Sequence, residues 1–205
     1  MRDAGHAAVF LDRDGTINEE VGYLDRIDKL RLLPGAAEAI RLLNASGFKV
    51  VVVTNQSGVA RGLFTEAFVV EVHRTLAELL GRQGARIDRF EYCPHHPTEG
   101  AGRYRRACPC RKPEPGMLLK AAAALAIDLD RSYVVGDTPR DLEAARRAGA
   151  RGILVRTGYG TEHLKAASAA ETTAAHVADD LLAAVHWILT EADRHGPDPR
   201  DRRRP

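Results

Sequence analysis

"AAVFLDRDGT" occupies residues 7–16 and decides the fold. Five apolar residues, Ala7 to Leu11, run without a break into Asp12-Arg13-Asp14, and Gly15-Thr16 follow. A strand with one wet face would alternate apolar and polar residues. An unbroken run reads instead as a strand buried on both faces, as in a parallel sheet. Asp12 and Asp14 flank a single residue of an extended segment, so their side chains point the same way. Gly15 then permits a sharp exit from the strand.

The same signature recurs along the chain, at "FKVVVV" (48–53), "SYVV" (132–135) and "GILV" (152–155), with a shorter candidate strand, "RFEY", at 89–92. Helical patterns separate these runs. The stretch 34–47 opens on Pro34 and closes on Gly47, as helix ends prefer. Residues 65–81 offer Thr65 as an N-cap, and 115–127, 139–149 and 179–194 complete the set. Strand alternating with helix predicts one Rossmann-like three-layer α/β/α domain with a mainly parallel sheet, spanning residues 1–193. The intervals between strands leave room only for a minimal cap. The stretch 161–178 is open between helix and loop, there is no internal repeat, and the tail "RHGPDPRDRRRP" (194–205) is expected to be a solvated, disordered segment.

The totals agree with a single globular enzyme-sized domain. The chain has 205 residues, 44 % of them apolar, which argues against overall disorder. A net charge of +2 is too small to suggest a nucleic-acid partner. No run is long and apolar enough to span a bilayer, so no membrane partner is expected. The apolar run near the N-terminus is short and ends in charges, unlike a signal peptide. The expected compartment is therefore the cytoplasm, where thiols stay reduced and clustered cysteines suggest a metal. No face reads as a self-complementary seam, and a monomer is the default.

The residues that follow each strand carry the chemistry. Thr54-Asn55-Gln56-Ser57 follow the second strand, and Gly136-Asp137 end the third, with Asp141 four residues on. In an open parallel sheet the ligand lies beyond the carboxyl ends of the strands, so these distant groups should converge. Asp137 would bring a third carboxylate to Asp12 and Asp14. Three carboxylates in one crevice repel unless a cation sits among them, and oxygen-only ligands suit Mg²⁺. A turn-capping role would explain either Asp12 or Asp14 alone, but not acids at the ends of two apolar strands.

In their order and spacing, "DRDGT" (12–16), Thr54, Lys112 and "GDTPRD" (136–141) resemble the haloacid dehalogenase superfamily of phosphotransferases. The resemblance implies that Asp12 is the nucleophile and forms an aspartyl phosphate, with Asp14 as general acid and base. It also implies that Mg²⁺ is held by Asp12, Asp137 and the backbone carbonyl of Asp14. Thr54 and Lys112 would hold the phosphoryl oxygens, and Asp141 would stand behind them, orienting a metal-bound water or Lys112.

All three cysteines fall in "CPHHPTEGAGRYRRACPCRKP" (93–113). Cys93, His95, Cys108 and Cys110 would make a closed tetrahedral zinc shell with no position for a reacting water. His96 competes for the fourth place, but the one-residue spacer of Cys93 and His95 mirrors that of Cys108 and Cys110. "RYRR" (103–106) admits a nucleic-acid finger, though no recognition helix follows the ligands. A metal-free cluster of buried thiols is a further option. The reading that accounts for the neighbours is a structural clip: Arg111 and Lys112 follow Cys110 directly, so a fixed Cys110 would aim Lys112 at the reacting phosphate and Arg111 at the substrate.

At finer grain, "FLDRDGTIN", "VGYL", "TNQSGVARG", "CPHHP" and "CPCRKPEPGM" are similar to the heptose 1,7-bisphosphate 7-phosphatases, a family within that superfamily. This likeness implies removal of the 7-phosphate from a small sugar bisphosphate on the way to nucleotide-activated heptose. The implied substrate contacts, besides Asp12, Asp14, Thr54 and Lys112, are Arg13, Glu20, Val21, Gly22, Tyr23, Asn55, Gln56, Ser57 and Arg111, the last facing the phosphate at C1. One position departs from the pattern. A basic residue often follows the last metal aspartate, whereas Thr138 stands here, with Arg140 two residues on. Histidinol-phosphate phosphatases share a similar zinc loop and "CRKP"; their amine substrate would favour acids such as Glu19 and Glu20 over Arg111. A non-catalytic zinc-bearing binding module would be favoured by loss of Asp12, Asp14 or Asp137, and all three are present.

Overall fold

The computed structural model describes residues 5–166 and 173–195. Six strands form one parallel sheet: β1 (Ala8–Leu11), β2 (Lys49–Asn55), β3 (Arg89–Cys93), β4 (Tyr133–Gly136), β5 (Arg151–Val155) and β6 (His176–Ala178). Their order across the sheet is β3-β2-β1-β4-β5-β6. The helices are α1 (Ala36–Ala45), α2 (Glu66–Gly81), α3 (Gly116–Leu125), α4 (Pro139–Ala148), α5 (Gly160–Ala166) and α6 (Leu181–His195).

The unbroken apolar runs are buried on both sides, as a parallel sheet demands. Val9, Leu11, Val50, Val52, Tyr133, Val135, Ile153 and Val155 join one core with α1, α2 and α6. Their alternates Ala8, Phe10, Val51, Val53 and Val134 join a second core with α3 and α4. A central strand with every residue buried therefore needs apolar side chains at successive positions.

Local signals set several boundaries. Thr65 caps α2 by accepting the Phe68 N–H at 3.1 Å, as its sequence suggested. Pro139 starts α4 without wasting a hydrogen bond, because the first helical N–H groups have no intrahelical partner. Gly149 ends it in the left-handed region at φ 82°. Helix α3 stops at Leu125, short of the expected 127, where Ala126 takes φ 51°.

Two elements were not resolved by the sequence. Within 161–178, the helix α5 reaches Ala166 and the last residues form β6, a sixth strand at the sheet edge. Helix α6 continues to His195, past the expected domain end at 193, and the remainder of the tail, 196–205, lies outside the described residues. No helix among the described residues is long and apolar enough to cross a membrane.

Topology fixes where a ligand goes. The chain leaves β1 to build β2 and β3 on one side, then returns to place β4 on the other. Leu11 stands level with both Val52 and Val135. The carboxyl ends of β1, β2 and β4 therefore open onto one crevice at the switch point.

Candidate active site

The crevice has a volume of about 660 Å³. Its floor carries Asp12, Asp14, Thr54, Lys112 and Asp137, which come from four segments spread over 126 positions of sequence. Asp12 follows β1 and its N–H donates to Val135 O on β4 at 2.9 Å, locking the strand end in register. Lys112 is 2 % exposed. Its ammonium reaches Asp12 Oδ1 at 3.0 Å, Asp141 Oδ1 at 2.6 Å and Val53 O at 2.7 Å. Three oxygens thus surround the ammonium, two of them carboxylate oxygens. The Lys112 backbone is held as firmly: its N–H donates to Asn55 Oδ1 at 3.1 Å, and Asn55 Nδ2 donates to Lys112 O at 3.0 Å.

Oxygens of Asp12, Asp137 and Asp141 all lie within 4.8 Å of one another. Asp141 is fully buried and already committed. Its Oδ2 accepts Thr138 N–H at 3.2 Å and the Thr138 hydroxyl at 2.6 Å, while Oδ1 faces Lys112. Burial, more than anything else, pushes the Asp12 carboxyl above its usual range; Lys112 opposes this, and the charges of Asp141, Asp137 and Asp14 add to it. Burial likewise raises Asp137, against the hydrogen bond from Tyr159 N–H. One ammonium does not offset this concentration of negative charge. A hard divalent cation does, and the donors are all oxygen, so the site fits Mg²⁺.

Asp14 is treated differently although it is only two residues away. Arg13 grips it through Nε and Nη2 (3.1, 3.0 and 2.8 Å), and Asn18 Nδ2 and Gln56 Nε2 donate to it at 2.9 and 3.0 Å. Burial alone would raise its pKa, but the Arg13 charge and these hydrogen bonds win and hold it below the usual carboxylate range. Gln56 Nε2 also donates to Thr54 Oγ1 at 2.9 Å, which leaves the Thr54 hydroxyl proton free to point into the crevice.

Several expected contacts sit elsewhere than their sequence position suggested. Arg13 is 1 % exposed and does not line the crevice; it supports Asp14 from behind. Val21 lies at the surface, outside the lining, whereas Glu20, Gly22 and Tyr23 face inward. Asn55 and Gln56 line the site, but the Asn55 amide serves Lys112 and the Gln56 amide nitrogen serves Asp14 and Thr54. Ser57 and Arg111 both line it. Arg61 and His96 also line it. Both lie in segments that the sequence singles out, "TNQSGVARG" and the cysteine loop, but it marks neither as a substrate contact, and His96 only as a competing ligand of the cluster. Phe64, Tyr159 and His163 line it as well; nothing in their local pattern marks them, and they enter through loop geometry.

The far wall is basic. Arg111 is held below the usual guanidinium range by burial and then by the neighbouring charges of Arg140 and Arg61, with Cys93 opposing. His96 is lowered by burial and by Arg111, against Glu99. Arg61 pairs with Glu99 and sits 5.8 Å from the centre of the Tyr23 ring, tying the segment that carries Tyr23 to the cysteine loop. Thr138 does not replace the missing basic residue: it caps α4, and Arg140 lines the crevice instead. The crevice therefore has an acidic floor that suits a cation and a basic wall that suits an anion.

Beneath the floor lies His73 of α2, 6 % exposed and stacked on Phe90 at 4.7 Å. Burial, assisted by the Arg13 charge and opposed by Asp14, brings its pKa down to about 3. The unfolded chain has an ordinary histidine near 6.5. Between these values the unfolded state binds a proton that the folded state refuses, so stability falls as pH drops through this window. His73→Phe keeps the ring and removes the titration. Its unfolding free energy from urea melts should fall less between pH 7 and 5.5 than the parent's, by about 1 kcal/mol. Equal losses would contradict the account.

At the edge of the crevice, Cys93, His95, Cys108 and Cys110 present one donor atom each within 4.8 Å of one another. Cys110 Sγ is 3.0 Å from Cys93 Sγ, and His95 Nδ1 is 3.6 and 3.5 Å from Cys93 and Cys110. His96 turns away, its Nδ1 accepting Glu99 N–H at 2.9 Å. Three thiols and an imidazole converging this closely fit zinc. Arg111 Nη1 donates to His95 O at 3.1 Å, so a ligand of the cluster also holds the crevice arginine.

Comparison with known proteins agrees with this geometry. A family model described as HAD-hydrolase-like matches residues 109–184. A D-glycero-beta-D-manno-heptose-1,7-bisphosphate 7-phosphatase of Rhodopseudomonas palustris is 50 % identical over 146 residues, 71 % of this chain and 81 % of the relative. A D-glycero-D-manno-heptose-1,7-bisphosphate 7-phosphatase of Thermosynechococcus vestitus is 43 % identical over 187 residues, 89 % of this chain and 95 % of the relative. The crystal structure of a D,D-heptose 1,7-bisphosphate phosphatase from B. bronchiseptica, complexed with magnesium and phosphate, superposes with a TM-score of 0.80 at 38 % identity, covering 91 % of this chain and 99 % of that one.

Proposed function

Because the chain belongs to the heptose 1,7-bisphosphate 7-phosphatase family of haloacid dehalogenase-like hydrolases, we propose that its crevice removes the 7-phosphate of D-glycero-D-manno-heptose 1,7-bisphosphate. The observation that carries the reading is the pairing of an acidic floor with a basic wall in one crevice. A substrate with a phosphate at each end has an anion for both. The reacting phosphate meets the Asp12 end, and the other meets Arg111 with Arg61 and Arg140.

Asp12 attacks phosphorus in line, the P–O bond to the sugar breaks, and Asp14 gives the leaving oxygen a proton. Asp14 starts as a carboxylate held by Arg13, and a phosphate dianion brought beside it raises its proton affinity. It therefore takes up a proton from solvent as substrate binds and gives that proton to the leaving oxygen; the proton it gains from water in the second half returns to solvent. In the second half, Asp14 takes a proton from water as the water attacks the aspartyl phosphate. Inorganic phosphate leaves and Asp12 is restored. The Thr54 hydroxyl and the Lys112 ammonium face the phosphoryl oxygens, where charge gathers in the transition state. Mg²⁺ held by Asp12, Asp137 and the Asp14 carbonyl, when bound, screens the phosphate from the attacking carboxylate.

The basic wall also separates the alternatives. Histidinol phosphate carries an amine where this crevice presents arginines, so its distal end would be repelled. The test is kcat/KM for the heptose bisphosphate, histidinol phosphate and an aryl phosphate with Mg²⁺ present. The bisphosphate is expected to lead by at least about 100-fold, as two lost charge-assisted contacts imply. Preference for the amine would overturn the assignment, and no Mg²⁺-dependent hydrolysis of any of the three would favour a binding module.

A further inference from the structure

The turn that leaves β5, Arg156-Thr157-Gly158-Tyr159, has no role in the chemistry above, yet it closes directly on Asp137. Tyr159 N–H donates to Asp137 Oδ2 at 2.9 Å. The Thr157 hydroxyl donates to Gly15 O at 2.6 Å, joining this turn to the exit from β1 across 142 positions of sequence. Gly158 and Gly15 meet backbone to backbone beside the same carboxylate. A β-carbon on Gly158 would fall 2.7 Å from the Gly15 α-carbon, and one on either glycine would overlap Asp137 Oδ2. Both glycines have positive φ, 54° and 77°, which side chains rarely adopt.

The turn itself is braced. Gly160 N–H donates to Thr157 O at 3.0 Å, Thr161 N–H to Arg156 O at 3.2 Å, and the Thr161 hydroxyl to Arg156 O at 2.9 Å. Asp137 thus sits in a slot with two glycine walls and one backbone donor. Among the described residues, the Tyr159 N–H is the only hydrogen bond its side chain accepts.

We propose that Thr157, Gly158 and Tyr159 form a positioning element that sets the Asp137 carboxylate for the cation, so that Mg²⁺ affinity depends on a turn that touches this carboxylate through a backbone N–H and, together with Gly15, two glycine walls. This rests on the reading of Asp12 and Asp137 as Mg²⁺ ligands. Outer partners that orient a metal-binding carboxylate typically change affinity by about 10- to 100-fold. The small residues are required because the slot has no space for a β-carbon. The hydroxyl at 157 is required because it holds the two walls together.

The test uses the full chain with its zinc content matched by metal analysis, and no substrate. Thermal melts are recorded across a MgCl₂ titration, and the concentration giving half of the full rise in Tm is read. Gly158→Ala should raise that concentration by about tenfold or more, and Thr157→Val by at least about threefold. Half-points matching the parent in a folded Gly158→Ala would overturn the proposal. If Gly158→Ala does not fold, Thr157→Val decides, and an unchanged half-point there overturns it. A parent whose Tm ignores MgCl₂ would remove the Mg²⁺ reading and the proposal with it, a result distinct from responsive parent and variants that match.

Discussion

Asp12→Asn is expected to lower kcat by at least about 10³-fold while leaving the fold in place. The amide keeps the shape of the carboxylate and can still accept from Lys112, which retains Asp141 and Val53 O as well. What it loses is the anionic oxygen that must bond to phosphorus. The variant should also be at least as stable as the parent without Mg²⁺. Burial and three neighbouring acids make an ionised Asp12 unfavourable in the free protein, and asparagine removes that charge. A buried group whose pKa is raised destabilises the fold above its unfolded value, so its neutral replacement relieves the strain near pH 7. Acid-quenched turnover with labelled phosphate should leave label on the parent chain and none on the variant. Phosphatase activity within tenfold of the parent would refute Asp12 as nucleophile.

Removal of zinc is the second large effect. A structural zinc bound by thiolates and imidazole stabilises its loop by about 10 kcal/mol. Between its two cysteine ends the loop has few other tethers: Glu66 at the start of α2 accepts the Tyr104 hydroxyl at 2.6 Å, Ala101 N–H donates to Ala60 O at 3.3 Å, and Arg61 pairs with Glu99. These contacts do not match the loss, so Tm should fall steeply on chelation or in Cys110→Ser. The catalytic consequence is uneven. Lys112 is gripped by Asn55, Val53 O, Asp12 and Asp141, none of which belongs to the cluster. Arg111, in contrast, rests on His95 O. A zinc-free chain held below its melting point should therefore show KM for the bisphosphate raised at least about tenfold, with a smaller change in kcat. A preparation shown to lack zinc that keeps full kcat/KM would dismiss the clip. A fall confined to kcat would move the role from Arg111 to Lys112.

Much of this was legible from residues alone, for physical reasons that also explain the omissions. Four apolar runs announced strands because burial on both faces leaves no choice of residue type. β6 has three residues, only one of them fully buried, so it leaves no such mark. The period of two that places Asp12 and Asp14 together also turns Arg13 away from the crevice; its length then lets the guanidinium return to Asp14 from behind. Asn55 and Gln56 followed a strand end as ligand-binding residues do, and the direction of their amides depends on Lys112 and Asp14, far off in sequence. The hold on Asp137 comes from a backbone N–H, which every residue but proline carries, so Tyr159 could not have been picked out.

The place of β1 at the middle of the sheet has a consequence for how the chain comes into being. One flank of β1 pairs with β2 some forty residues later, but the other waits for β4, and Ala8 N–H reaches Ser132 Oγ across 124 positions. On a ribosome the first strand is therefore made early and completed late. Until β4 emerges an apolar edge stays open to rival strands, and this interval is where the chain is most exposed to mispairing.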